Sequence, residues 1–255
     1  ETSQDISGLI AGTYSVTVTD SQNCTDTESY TITEPDVLAI AFESQTDVSC
    51  NGLNDGAIDI SVSGGTTDYS YEWSNTETSQ DISGLIAGTY SVTITDSQNC
   101  TDTESYTISE PDVLAIAFES QTNVSCNGLA DGAIDISVSG GTTDYSYEWS
   151  NTETSQDISG LIAGTYSVTI TDFQNCTDTE SFTISEPDVL AIAFESQTDV
   201  SCNGLNDGAI DISVSGGTTD YSYEWSNSET SQDISGLIAG TYSVTVTDSQ
   251  NCTDT

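Results

Sequence analysis

The chain has no cationic side chain of any kind. Its 255 residues include no Lys, Arg, His or Met, whereas 42 are acidic, so the formal net charge is −42. Nucleic acids and anionic membranes are bound through Lys and Arg charges, and neither is therefore an expected partner. Salt bridges between side chains are excluded for the same reason. The counterions that suit such a polyanion are metal cations or cationic polymers.

Long apolar runs are absent as well. The longest one, residues 37–42, is far too short to span a bilayer, so we expect no direct membrane insertion in this part of the protein. A chain of high net charge is typically disordered when it is also poor in aromatic and β-branched residues. Here Tyr, Trp, Ile and Val recur at regular spacings, which indicates a folded protein.

The sequence repeats itself with a period of 76 residues. Two series of cysteines mark the period: Cys24, Cys100, Cys176 and Cys252, and Cys50, Cys126 and Cys202. A recurring Glu-Pro-Asp is the best linker candidate, because Pro stiffens the backbone and has no N–H for strand pairing. The predicted segments are 1–34 (the C-terminal part of a preceding repeat) and three repeat domains, 36–110, 112–186 and 188–255, the third incomplete at its C-terminal end.

Apolar and polar residues alternate within each repeat, which is the pattern of half-buried β-strands. Ile58, Ile60 and Val62 share one face of such a strand, for example, with Asp59 on the other. Clusters of Gly, Asn, Asp and Ser between the strands predict turns. Tyr90 is placed like the corner tyrosine of an immunoglobulin domain. We therefore predict an all-β chain of tandem immunoglobulin/fibronectin III-like β-sandwich domains with a 76-residue period.

Four motifs recur in the repeats: C-N-G-x-x-D-G, S-G-G-T-x-x-Y-x-Y-x-W-S, G-L-x-A-G-T-Y-x-V-T-x-T-D and N-C-T. In these motifs the chain resembles the SprB-type repeat of gliding-motility adhesins and other giant surface proteins of Bacteroidota. The resemblance implies a secreted, extracellular repeat protein of the cell surface, used for attachment or surface structure.

In the extracellular setting that the resemblance implies, regularly spaced cysteines favour disulfides over metal thiolates, since His and C-x-x-C motifs are absent. Two pairing schemes are open. Pairing within a repeat joins Cys50 to Cys100, Cys126 to Cys176 and Cys202 to Cys252. Pairing across a junction joins Cys50 to Cys176 and Cys126 to Cys252. In a simple sandwich the cysteines of one repeat lie at opposite poles, roughly 23 Å apart, whereas a disulfide needs Cα atoms within about 7 Å.

Acidic and amide side chains cluster in two loops of each repeat, and Ca²⁺ requires six to eight oxygen ligands. Asp47 and Asn54 are replaced by Asn123 and Ala130 in the second repeat, so they are not essential ligands in every copy. The remaining candidates for a calcium site are Asp55, Asp59, Asp96, Asp102, Asp131, Asp135, Asp172, Asp178, Asp207 and Asp211. The competing interpretation is a solvated acidic surface whose Asp and Asn side chains form turns.

Catalysis is not expected, because Ser nucleophiles have no His or Lys base and no cationic group is present to stabilise an oxyanion. The stripe Tyr69, Tyr71 and Trp73 has the spacing of a strand, which favours a role in the core over a sugar-binding platform. The predicted function is an extracellular structural or adhesive repeat protein that forms a long stalk or fibre, with self-assembly into a filament as a further expectation. The alternative is a multivalent carbohydrate-binding array that binds surface polysaccharide.

Overall fold

The computed structural model describes residues 4–255, which form β-strands and no helix. The chain forms two compact units, and the boundary between them lies between Pro111 and Asp112. Within the described part of the chain, no helix is long and apolar enough to cross a membrane.

The strands follow one another in the same order in each repeat. A hairpin comes first, β1 (Gly12–Thr19) and β2 (Thr25–Ile32). The first full repeat contains β3 (Ala39–Thr46), β4 (Gly56–Ser63), β5 (Ser70–Trp73), β6 (Ile82–Leu85), β7 (Gly88–Thr95) and β8 (Thr101–Ile108). The second contains β9 (Ala115–Thr122), β10 (Gly132–Ser139), β11 (Ser146–Trp149), β12 (Ile158–Leu161), β13 (Gly164–Thr171) and β14 (Thr177–Ile184). The third contains β15 (Ala191–Thr198), β16 (Gly208–Ser215), β17 (Ser222–Trp225), β18 (Ile234–Leu237), β19 (Val244–Thr247) and β20 (Thr253–Asp254).

Each full repeat folds into two three-stranded antiparallel sheets. In the first repeat the strand orders are β3-β4-β6 and β5-β7-β8, and the other two repeats reproduce both orders. The edge strand β3 carries a β-bulge at Glu43, where its register with β4 shifts. The prediction of tandem all-β sandwich domains is confirmed.

The core of each repeat lies between its two sheets and consists of the residues that the alternation predicted. Ile58 and Ile60 of β4 are almost fully buried, and Val92 and Ile94 of β7 pack into the same cluster around Trp73. Burying one such side chain contributes about 1.5–3 kcal/mol. The polar residues between them face outward, because successive side chains of a strand point to opposite faces of the sheet. One face is therefore buried and the other is exposed to solvent.

The corner tyrosine is in the predicted place. The hydroxyl of Tyr90 donates a hydrogen bond to the carbonyl of Ile86, four residues upstream, at 3.0 Å. The same bond forms in the second and third repeats. It fixes the turn into β7 and so positions the hairpin between β7 and β8.

Candidate functional site: the junction between consecutive repeats

Cys126 and Cys252 form a disulfide bond that joins the second repeat to the third. Their Cα atoms are 5.6 Å apart, although 126 residues separate them in the sequence. Cys126 lies in the loop between β9 and β10, whereas Cys252 lies in the hairpin loop between β19 and β20. Of the two pairing schemes that the sequence leaves open, the structure has the one that crosses a junction.

The linker between these repeats is held by hydrogen bonds on both sides. The N–H of Gly128 donates to Oε2 of Glu186 at 2.7 Å, and Nδ2 of Asn127 donates to the carbonyl of Pro187 at 3.1 Å. In the following repeat, the N–H of Gly217 donates to the carbonyl of Asp188 at 2.8 Å. The Glu-Pro-Asp segment is therefore an anchored connector and not a free tether.

The chain also approaches itself closely where the linker enters the third repeat. Gly216 has φ +70°, and a Cβ built on it would lie 1.9 Å from the carbonyl oxygen of Val189. A side chain at this position is excluded by both the backbone conformation and the contact. The first Gly of the S-G-G-T motif thus allows the backbone at Val189 to pack directly against the turn at Gly216.

Around the disulfide, the junction is apolar. Cys252 is 9% exposed and belongs to a cluster with the buried side chains of Leu190 and Val246. Cys126, from the second repeat, packs against this cluster of the third repeat. The covalent bond is thus embedded in a small hydrophobic contact that excludes water from its surroundings.

Asp248 fixes the hairpin loop that carries Cys252. Its Oδ1 accepts the N–H groups of Gln250 and Cys252, at 2.9 and 2.8 Å, and its Oδ2 accepts that of Thr218 at 2.8 Å. Burial acts to raise the pKa of Asp248, but these backbone donors outweigh it and lower the pKa below its ordinary value. The carboxylate therefore ties the cysteine loop to the neighbouring turn of the same repeat.

The calcium candidates Asp96 and Asp172 occupy the same position in the first two repeats. Oδ1 of Asp172 accepts the N–H groups of Gln174 and Cys176, and its Oδ2 accepts that of Thr142. Asp96 makes the equivalent three bonds, and the donated N–H of Thr66 is the main cause of its lowered pKa. Both side chains are 4% exposed. Their recurrence is explained by this role in anchoring the backbone.

Two further sets of candidates also bind backbone groups. Asp55 accepts the N–H and the hydroxyl of Ser49, and the hydroxyl is the larger cause of its lowered pKa. Asp131 and Asp207 close the same loop in the later repeats. The second set lies on the last strand of each repeat, where Asp102 and Asp178 each accept the N–H of an Ile in the first strand.

The last set of candidates lies on an exposed face and forms pairs of like charge. Asp59 on β4 is close to Asp81, and its pKa is raised, mainly by burial and then by the charge of Asp81. Asp211 shows the same shift for the same leading reason, with Asp233 as its partner. Asp135 holds the equivalent place on β10.

The four sets of candidates therefore lie at different places in each repeat. Among residues 4–255, no three acidic or cysteine side chains converge in a group that could hold a metal ion. In this arrangement, carboxylates accept hydrogen bonds from backbone N–H groups. Carboxylates are in excess in this chain, because it has no Lys or Arg.

The aromatic stripe belongs to the core. Trp73 is 2% exposed, and its Nε1 donates to the carbonyl of Ser79 at 2.9 Å. Tyr69 and Tyr71 are half-buried and pack against the same cluster. Trp73 therefore presents no face on which a sugar ring could stack.

Not all of the cysteines that we expected in disulfides are bonded. Cys50 and Cys176 are disulfide-bonded, as Cys126 and Cys252 are. Cys100 and Cys202, which only the pairing within a repeat would bond, are exposed free thiols. Cys24 is also an exposed free thiol.

Sequence reasoning missed the residues that hold the linker. Asn127 and Glu186, with Asn51 and Glu110 in the preceding repeat, contact the loop or the linker through the bonds described above and their equivalents. The available signal was that both the Asn and the Glu recur unchanged in every copy of their motifs. It was not decisive, because every other position of those motifs is nearly as constant.

Three stretches of the chain match the sequence profile of the SprB repeat, at residues 43–78, 119–154 and 195–230. They are spaced by the 76-residue period, and each contains the loop cysteine and the buried Trp of its repeat. The chain therefore contains three tandem stretches that match the SprB repeat, and we refer to it below as the SprB array. SprB repeats come from cell-surface proteins, and the disulfides fit an extracellular protein, so these findings support an extracellular repeat protein of the adhesin type. No curated protein matches the SprB array in sequence.

The solved structures that match the chain include three with low sequence identity and low TM-scores. The eight N-terminal immunoglobulin domains of Down syndrome cell adhesion molecule match 84% of the SprB array and 32% of their own chain, at 11% identity and a TM-score of 0.39. The Dpr2 Ig1-Ig2 and DIP-Theta Ig1-Ig3 complex matches 82% of the SprB array and 95% of its own chain, at 10% identity and a TM-score of 0.32. Salmonella alpha-2-macroglobulin matches 93% of the SprB array and 22% of its own chain, at 10% identity and a TM-score of 0.20. The SprB array spans about a third of the first of these chains.

Proposed function

We propose that this SprB array is a segment of an extracellular stalk or fibre that holds an adhesive or structural protein away from the cell. The observation that carries the proposal is the junction between the second and third repeats, where a disulfide, an apolar contact and an anchored linker act together. Near-identical domains joined in this way extend a chain by simple repetition.

The charge of the array supports the same function. With 42 acidic residues and no basic ones, neighbouring arrays repel one another at low ionic strength. A surface fibre of this composition stays separate from other polyanions on the cell surface. Divalent cations screen or bridge such charges, so lateral assembly into a filament is expected only when cations are present.

Calcium at the acidic loops is a separate proposal, and it rests on the charge and on the recurring Asp residues. Its test is the melting temperature of the chain in excess EDTA and in millimolar Ca²⁺. A rise in Ca²⁺ that Mg²⁺ at the same concentration does not reproduce supports a specific site. Identical melting temperatures in EDTA and Ca²⁺ would end the calcium proposal.

The stalk is tested by small-angle X-ray scattering and electron microscopy of the purified chain. We expect an elongated particle under oxidising conditions. After reduction of the disulfides, its maximum dimension should become shorter or the distribution of its dimensions should become broader. A compact particle under oxidising conditions contradicts the stalk. Isolated strings under all cation conditions exclude the filament and leave the stalk in place.

Carbohydrate binding is the alternative function. The aromatic stripe that would have served as a platform is in the core. A glycan array probed with the full chain tests what is left of this alternative, and binding of one sugar class by the chain would favour it.

A further inference from the structure

We infer that the disulfide between Cys126 and Cys252 is a mechanical bypass: it carries tension across two repeats and removes almost all of their folded chain from the load path. The inference rests on the proposed stalk function, because only a protein that holds something away from the cell is pulled along its length.

The first step is the topology of the bond. When the chain is pulled at Asp112 and at its C-terminus, the shortest path of the force reaches Cys126 along the chain, crosses the sulfur–sulfur bond and leaves from Cys252. Residues 127–251 lie in the closed loop between them and bear none of the tension. Every strand from β10 to β19 is inside this loop.

The second step is what the loop contains. Most of the buried core of both repeats is enclosed, including Ile136, Trp149, Val168, Trp225 and Val246. Without the bond, the load would be borne by strand hydrogen bonds and side-chain packing, whose net contribution is about 1 kcal/mol per hydrogen bond. With it, the load is borne by a covalent bond, and only the edge strands outside the loop, β9 and β20, can be peeled away.

The third step is the length of the bond's span compared with the repeat. The bond spans 126 residues, which is longer than one 76-residue period, so it encloses the junction between the second and third repeats. A pairing within each repeat would have left every linker in the load path. Pairing across the junction places the linker itself, residues 186–188, inside the protected loop.

The expected effect is large because it is a difference in chain length. Between residues 112 and 255, an opened chain extends by up to about 50 nm, at roughly 3.6 Å per residue. With the bond intact, only the residues before Cys126 and after Cys252 can extend, which gives roughly 6 nm.

The experiment is single-molecule force spectroscopy on the full chain. Click handles are placed at Asp112, which is exposed, and at the C-terminus, in a background where the three free thiols (Cys24, Cys100 and Cys202) are replaced by Ser. The matched variant adds Cys126→Ser and Cys252→Ser together, so that no orphan thiol is left. Unchanged Trp fluorescence of the variant at zero force shows that it still folds.

We expect the background protein to extend by no more than roughly 6 nm and the double variant by up to about 50 nm. Adding a dithiol to the held background protein should release the difference, because the reductant becomes a disulfide while Cys126 and Cys252 become thiols. If the oxidised background extends as far as the double variant, the bypass is wrong. The stalk is judged separately, by scattering at zero load: an elongated but extensible chain overturns the bypass alone, and a compact one overturns the stalk.

Discussion

Replacing Asp172 with Asn separates the two roles that its recurrence suggests, a calcium ligand and a backbone anchor. In the structure Oδ1 accepts two N–H groups and Oδ2 accepts the N–H of Thr142 at 2.8 Å. Asn can keep the two bonds at Oδ1, but its amide nitrogen would then face the N–H of Thr142. One anionic hydrogen bond is lost, and the two that are kept become weaker because the acceptor is neutral.

The magnitude follows from these bonds. A hydrogen bond to a charged group contributes about 1.5–3 kcal/mol, and a donor left unsatisfied in a buried place costs about 1–3 kcal/mol. We therefore expect Asp172→Asn to destabilise the second repeat by about 3 kcal/mol. This corresponds to roughly 100-fold faster hydrogen exchange of β13 and β14, because about 1.4 kcal/mol is a factor of ten.

Hydrogen exchange read by mass spectrometry is the suitable assay, since the repeats differ where it matters. Phe173 and Phe182 mark peptides of the second repeat, whereas Ser97 and Tyr106 stand in their places in the first. The first repeat of the same molecule is therefore an internal standard. Glu180→Gln is the control variant, because it removes one negative charge from an exposed position on β14.

The outcome in calcium decides between the two roles. The anchor predicts the same loss of protection in EDTA and in millimolar Ca²⁺, with little change for Glu180→Gln. A variant that is neutral in EDTA and destabilised only in Ca²⁺ would refute the anchor and restore Asp172 as a metal ligand. Equal effects of Asp172→Asn and Glu180→Gln would refute it too, because the effect would then be one of net charge.

Three further predictions concern single residues. Trp149→Phe removes an indole N–H bond to a backbone carbonyl and leaves a small cavity, so it should destabilise the second repeat by about 2 kcal/mol in urea unfolding; no change would contradict the core role. Gly140→Ala should cost at least about 3 kcal/mol, because its Cβ would lie 1.9 Å from a carbonyl oxygen at φ +70°. Gly128→Ala, at φ +77° with open space around it, should cost only about 1 kcal/mol; equal costs would show that the close approach is unimportant. The pKa of Asp59 is raised, so protonation favours folding and the benefit is lost as the pH rises through the raised value. Asp59→Asn should therefore raise stability at pH 7 and leave it unchanged in acid, and a loss at pH 7 would contradict the assignment.

Much of the fold was predictable because strand burial imposes a period of two on the sequence. Ile58 and Ile60 are buried and Asp59 is exposed, as the alternation indicates. The pattern is less informative at the edge of a sheet. Phe42 shares the apolar spacing of its strand but is 53% exposed on β3, the edge strand of its sheet.

The candidate site was predictable only in part. Repetition identified the carboxylates that matter, but it could not distinguish a metal ligand from a backbone anchor such as Asp96, because both roles demand the same residue in every copy. The cysteine pairing was also left open by the sequence, since both schemes use the same residues and only the positions of the loops decide between them. The linker contacts of Asn127 and Glu186 depend on two loops distant in sequence, which no local pattern reveals.

Non-reducing peptide mapping tests most directly the claim that consecutive repeats are stapled across their junction. The chain has no site for trypsin, so chymotrypsin is used, and the peptides are recognisable. Asn123 marks the Cys126 peptide, Phe182 marks the Cys176 peptide, and the C-terminal Thr255 marks the Cys252 peptide. We predict that the Cys126 peptide is recovered bonded to the Cys252 peptide. Recovery of the Cys126 peptide bonded to the Cys176 peptide would show that each repeat is closed on itself and would contradict the account.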